Sequence, residues 1–160
     1  MSPLFDVAEL IRIGVEDEKS GVAFYGELAR TTAHPRLRGL YESLVEQERG
    51  HQERFEQMLA DLGDYKPAET YPGEYIAYLR ALLDSRAFPD PGAAAQAAHD
   101  CQDDRAALVL ALRFERDTLG LLNELRDLVA QDDQELVDEL IREEQGHVVE
   151  LSWAINGLGE

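Results

Sequence analysis

Apolar residues recur every three or four positions along four long stretches of this chain, and no stretch alternates with a period of two, so packed helices are required and a sheet is not. The first stripe runs through Leu4, Val7, Ile11, Val15, Val22 and Leu28, and Ser2-Pro3 reads as its start, with serine as cap and proline in the first turn. His34-Pro35 ends it after about Ala33, because the residue before a proline is pushed out of the helical region. The second stripe passes through Leu37, Leu40, Leu44, Phe55, Leu59 and Leu62, with Gly63 as its C-terminal cap. From Gly63 to about Pro91 the chain is punctuated by Pro67, Pro72, Pro89 and Pro91, which leave room for one short helix at about 75–85. The third stripe joins Leu108, Ala111, Leu112, Leu119, Leu122, Leu125 and Val129 and ends near Gln131. Asp132 or Asp133 then stands where it can cap the fourth, Leu136, Leu140, Leu151, Ala154 and Leu158. Four long helices joined short, long, short predict an all-α four-helix bundle: two helical hairpins and one long crossover, about 63–100, in a single domain over 1–160.

The hairpins repeat more than their length. Glu48-x-x-His51 and Glu144-x-x-His147 are the same carboxylate–imidazole pair written twice, and each follows a lone glutamate, Glu18 or Glu115, on the preceding helix. Glu18 precedes Glu48 by 30 residues and Glu115 precedes Glu144 by 29, which sets the four at similar heights in the bundle. Residues three apart share a helix face, so a Glu and a His at that spacing can grip one ion. All six fall on the apolar stripes: Glu18 on 11, 14 or 15, 18, 21 or 22, 25, 28; Glu48 and His51 on 37, 41, 44, 48, 51, 55, 59, 62. Glu115 lies on 108, 111 or 112, 115, 118, 122, 125, and Glu144 and His147 on 136, 140, 144, 147, 151, 154, 158.

Each helix therefore buries a carboxylate. An ionised carboxylate without a partner costs several kcal/mol to bury, and four together repel one another. No Lys or Arg occupies the middle of these stripes, so two divalent cations are the expected counterions, with the imidazoles as neutral donors. Mixed oxygen and nitrogen ligands suit iron, manganese or zinc better than calcium or magnesium. His34 and His99 lack such company and read as surface or capping residues.

A net charge of -18 argues against nucleic acid and anionic membrane as partners, since both are polyanions. The longest apolar run, Ala106 to Leu112, is far shorter than the ~20 residues a membrane span needs. The N-terminus has no basic region and carries Asp6 and Glu9 where a secretory signal needs an unbroken apolar core, so a soluble cytoplasmic protein is expected. The single Cys101 excludes an intramolecular disulfide, a four-cysteine metal site and a Cys-x-x-Cys pair, and reads as a small semi-buried residue.

Taken together the motifs resemble the ferritin-like di-iron carboxylate proteins, in which two helices give one Glu each and two give Glu-x-x-His. Glu18-Lys-Ser-Gly-Val-Ala-Phe24-Tyr25 is similar to the first-helix motif of the rubrerythrin branch. Glu46-Gln-Glu48-Arg-Gly-His51, Phe114-Glu115-Arg-Asp-Thr and Glu143-Glu144-Gln-Gly-His147 are similar to its second, third and fourth. The resemblance covers nearly the whole chain except the crossover. It implies a ferritin-like fold holding two iron ions, with manganese or zinc as substitutes and no haem. By it Glu48 and Glu144 bridge the metals, Glu18 and Glu115 are terminal, and His51 and His147 bind one metal each. Two departures stand out. Peroxidase-type rubrerythrins usually carry a further glutamate three residues after the third-helix ligand, where this chain has Thr118, so redox-linked ligand exchange is not expected. A four-cysteine rubredoxin module is absent from the sequence, which stops at Glu160, so electrons are expected from a separate donor or from ferrous iron itself.

The activity implied is that of a di-iron oxidoreductase, peroxidase or ferroxidase, coupling Fe(II) oxidation to reduction of hydrogen peroxide or dioxygen. Tyr25, two turns beyond Glu18 on the inner stripe, reads either as a donor of a hydrogen bond or electron near the site or as a core tyrosine with its hydroxyl satisfied. Two alternatives stay open: an iron store of bacterioferritin type, and a metal-dependent binding module. Against the store, that family's haem-ligating Met follows the second-helix Glu where Arg49 stands here, and no fifth helix follows Gly157. Paired stripes and the lone Trp153 suggest a homodimer without placing its interface.

Overall fold

The computed structural model describes residues 7–63 and 73–159. Within them six helices follow in order: α1 (Val7–Thr31), α2 (Pro35–Leu62), α3 (Gly73–Asp84), α4 (Pro91–Asp100), α5 (Asp104–Leu128) and α6 (Gln131–Gly157). No strand occurs among the described residues, and the architecture is the expected all-α, ferritin-like bundle. The start assigned to Ser2-Pro3 and Leu4, and the breaks at Pro67 and Pro72, lie outside the described residues.

The turns follow from their residues. His34 is extended, with φ -90° and ψ 113°, as a residue before proline must be, and Pro35 opens α2 where its missing N–H costs nothing. Gly63 ends α2 at φ 56°, a left-handed value that glycine alone adopts without strain. Asp103 caps α5, its carboxylate accepting from the Ala106 N–H at 2.7 Å.

Three expectations need correction. Among its described residues the crossover holds two helices, not one: besides α3, the segment after Pro89 forms α4. Asp90 caps it by accepting from the Ala93 N–H at 2.8 Å, and Pro91 is its first residue rather than a breaker. Alanine, the strongest helix former, fills half of that helix. Its Ala94 and Ala98 pack into the core beside Phe24, Leu28 and Tyr41, so this part of the crossover belongs to the core. At the start of α6, Ala130 occupies the cap position with no side-chain bond, while Asp132 and Asp133 lie in the first turn, where they favour the helix dipole instead. Met58 is buried rather than Leu59, and Val137 rather than Leu136, a rotation of one residue at those helix ends.

Along the bundle axis the apolar core falls into two clusters. One gathers Leu10, Ile11, Val15, Phe55, Met58, Leu121, Leu125, Leu140 and Ile141; the other gathers Phe24, Tyr25, Tyr41, Leu44, Leu108, Phe114 and Leu151. On every long helix the chain passes from one cluster to the other through a short polar interval, and those four intervals form one layer.

Candidate metal centre

That layer contains Glu18 from α1, Glu48 and His51 from α2, Glu115 from α5, and Glu144 and His147 from α6, none more than 1 % exposed. Their donor atoms form two groups: Glu18, Glu48, His51 and Glu144; and Glu48, Glu115, Glu144 and His147. Within each group one atom per residue lies within 4.8 Å of the others, so each can hold a metal ion, and Glu48 and Glu144 are common to both. All six residues singled out in the sequence are thus brought together.

The two imidazoles stack with centroids 5.4 Å apart and turn Nδ1 toward the carboxylates. Nδ1 of His51 lies 2.7 Å from Glu144 and 3.6 Å from both Glu18 and Glu48. Nδ1 of His147 lies 2.9 Å from Glu144, 3.3 Å from Glu48 and 3.6 Å from Glu115. These approaches lack hydrogen-bond geometry. Both oxygens of Glu18, Glu48 and Glu144, Oε2 of Glu115 and both Nδ1 atoms have no hydrogen-bond partner. Buried polar atoms are rarely left so, and a whole layer of them facing inward fits a cation that accepts all their lone pairs at once. The donor set, carboxylate oxygen with imidazole nitrogen, is of the kind that binds first-row transition metals.

Electrostatics in the metal-free chain point the same way. Burial, and then the charge of Glu48, hold Glu18 well above the usual carboxylate range; burial, and then Glu144 and Glu48, do the same to Glu115. Burial also opposes ionisation of Glu48 and Glu144, but neighbouring imidazoles and protonated carboxyls outweigh it and both stay below the usual range. His51 and His147 rise far above an ordinary imidazole despite burial, because three carboxylates face each.

The outward-facing nitrogens are held too. Nε2 of His51 lies 2.8 Å from Glu143, which also accepts from Arg54 at 2.9 Å. Nε2 of His147 lies 3.1 Å from Oε1 of Gln47, whose amide nitrogen donates to Ser43 at 3.2 Å. Tyr25 is fully buried and donates its hydroxyl hydrogen to Oε1 of Glu115, so its partner is a candidate ligand. Burial and the charge of Glu115 keep that phenol protonated. Thr118 is buried in the layer, but its hydroxyl bonds back to the Phe114 carbonyl at 3.3 Å. Cys101 is half-buried and donates to the Ala97 carbonyl, apart from the layer. His34 is exposed at the start of α2, and His99 is exposed on α4, 3.2 Å from Glu27.

Sequence reasoning missed Gln47, Arg54, Glu143 and Gly21. Gln47 and Glu143 immediately precede the ligands Glu48 and Glu144, and that shared offset is the available signal. Gly21 sits one turn after Glu18, where a Cβ would come within 3.1 Å of both Glu48 and Phe114, so its bare backbone lets α2 and α5 close on the layer.

Fold and layer together define a ferritin-like bundle with a buried carboxylate–histidine cluster able to hold metal ions. The rubrerythrin family model matches residues 9–85, the stretch that supplies Glu18, Glu48 and His51, and this bears out the resemblance to the rubrerythrin and ferritin-like di-iron family. No curated protein and no solved structure matches the chain. Residues of α5 and α6 lie beyond the matched stretch, and there the geometry alone completes the second group. Among the described residues no helix is long and apolar enough to cross a membrane.

Proposed function

We propose that the six residues hold two iron ions and that the protein is an oxidoreductase coupling Fe(II) oxidation to reduction of hydrogen peroxide or dioxygen. The observation that carries this reading is the pair of fully buried four-residue groups sharing Glu48 and Glu144, whose inward oxygens and nitrogens have no hydrogen-bond partner. Two ferrous ions so held would supply one electron each to a two-electron oxidant.

The chain's own residues do the rest. Glu48 and Glu144, common to both groups, would help hold both ions, while Glu18 and His51 would serve one and Glu115 and His147 the other. Four carboxylates balance the charge of two divalent ions and favour the added charge of their oxidised forms. The Tyr25 hydroxyl fixes one oxygen of Glu115 and holds a proton beside the site. Phe24 and Phe114 pack edge-on against Tyr25, with Phe88 against both of them, and keep water from that side. The electrons that restore the ferrous state come from a separate donor.

The test is anaerobic loading with Fe(II), followed by single additions of peroxide or air-saturated buffer while ferric absorbance is recorded. Rapid oxidation of two equivalents per chain, with peroxide consumed in proportion, is the expected result. Oxidation no faster than that of free Fe(II) in the same buffer overturns the assignment. A large hollow particle accumulating many ferric ions per chain would favour storage instead.

A further inference from the structure

The two halves of the layer carry the same ligand types but differ in what lies behind them, and the differences have one sign. Behind His51 stands a carboxylate, Glu143, at 2.8 Å; behind His147 stands the neutral amide oxygen of Gln47 at 3.1 Å. With Nδ1 turned to the metal, the remaining proton of each ring sits on Nε2 and is donated outward. A charged acceptor polarises that N–H more than a neutral one and makes the opposite nitrogen the stronger donor. Arg54, bonded at 2.9 Å to the other oxygen of Glu143, aims this carboxylate at the ring.

The terminal carboxylates differ independently in the same direction. Both oxygens of Glu18 are unpartnered and available to a metal. One oxygen of Glu115 is taken by the Tyr25 hydroxyl, which withdraws electron density from that carboxylate. A strong imidazole and an unencumbered carboxylate therefore serve one position, and a weaker imidazole and a hydrogen-bonded carboxylate serve the other.

We infer that the two metal positions are inequivalent and fill in order, first the one bounded by Glu18 and His51, then the one bounded by Glu115 and His147, with Glu143 and Gln47 as the positioning residues that set the difference. This rests on the proposed metal reading of the layer. It assigns the second position as the exchangeable one, where an ion enters and leaves while the first stays occupied.

The experiment is anaerobic titration of the full chain with Co(II), read by its visible ligand-field bands and by a competing chelator, so no turnover is involved. The wild type is expected to bind two equivalents in separate steps, about 10–100-fold apart, the range typical of a changed outer-shell partner. Glu143→Gln weakens the tight step and narrows the gap between the two. Gln47→Glu strengthens the weak step and narrows it from the opposite side, the Tyr25 bond to Glu115 leaving the remainder in both. His147→Ala retains the tight step alone, and His51→Ala the weak one. Two steps unmoved by either Glu143→Gln or Gln47→Glu overturn the inference while leaving the metal centre standing. Absence of any Co(II) binding at the wild-type layer overturns the metal reading itself and the ordering with it.

Discussion

On α1, glycines stand four residues before and three residues after Glu18, at 14 and 21; on α5 the same places around Glu115 hold Ala111 and Thr118. A Cβ at Gly14 would lie 2.7 Å from the Phe55 ring, and one at Gly21 would lie 3.1 Å from Glu48. The first hairpin is closed until a methyl group no longer fits between its helices, whereas α5 carries side chains at the corresponding places. Repetition of the ligands therefore does not make the hairpins interchangeable. Each brings a Glu and a Glu-x-x-His to the layer, but the first closes by backbone proximity, whereas α5 is met through side chains, among them the bond from Tyr25 of α1 to Glu115. The crossover deepens the difference: Arg86 pairs with the buried Asp17 of α1 at 2.6 Å, and α4 packs on α1.

The largest effect belongs to the residues that ignore the division. Glu144→Ala removes a ligand from both groups and should abolish tight binding of both metals, read as metal per chain after dialysis. The same variant should melt no higher than the wild type when both are metal-free, because it takes from His51 and His147 the carboxylate that lies 2.7 and 2.9 Å from their Nδ1 atoms. Loss of only one equivalent would show that Glu144 serves one hairpin rather than both.

Arg86→Leu tests whether the crossover is anchored to the first hairpin by charge. Asp17 is then left buried without its cation, at an expected cost of about 2 kcal/mol near pH 8, below the full range for a buried pair because Arg86 is partly exposed. The cost depends on pH. In the wild type burial raises the Asp17 carboxyl from 3.8 to about 6 even with Arg86 beside it. The folded state then binds more protons than the unfolded one between those values, so this residue's contribution to stability falls as pH rises from 3.8 to about 6 and is level above. Without Arg86 the decline should continue further up the pH scale. Denaturant midpoints of the two proteins from about pH 5 to 8 should therefore diverge; parallel curves would contradict the anchoring role.

A subtler comparison sets Gly14→Ala against Ala111→Gly. The first pushes a methyl into the Phe55 ring and should cost about 1–3 kcal/mol despite the better helix former. The second removes a buried methyl and adds backbone freedom on α5, at about 1–2 kcal/mol. A stabilising Gly14→Ala would show that the hairpin has room to spare there.

Much of this architecture is legible in the order of residues alone. Ligand spacing and apolar spacing are both helical, so Glu18, Glu48, His51, Glu115, Glu144 and His147 declare their common face in the sequence, and the four long helices with them. Helix α4 does not: half of it is alanine, it is too short for a stripe, and it is flanked by prolines that read as breaks although one of them begins it. Nor do the partners behind the imidazoles, because whether Glu143 meets His51, 92 residues away in the chain, depends on how α2 and α6 are rotated against each other. The need for glycine at 14 and 21 is likewise a matter of distance between helices, which periodicity does not encode.

The central claim is that these six buried residues together hold two metal ions. Its most direct test is anaerobic Fe(II) stoichiometry by equilibrium dialysis on the wild type, His51→Ala, His147→Ala and the double variant. Two, one, one and none tightly bound per chain are predicted. Two ions retained by the double variant, or none bound by the wild type, would contradict it.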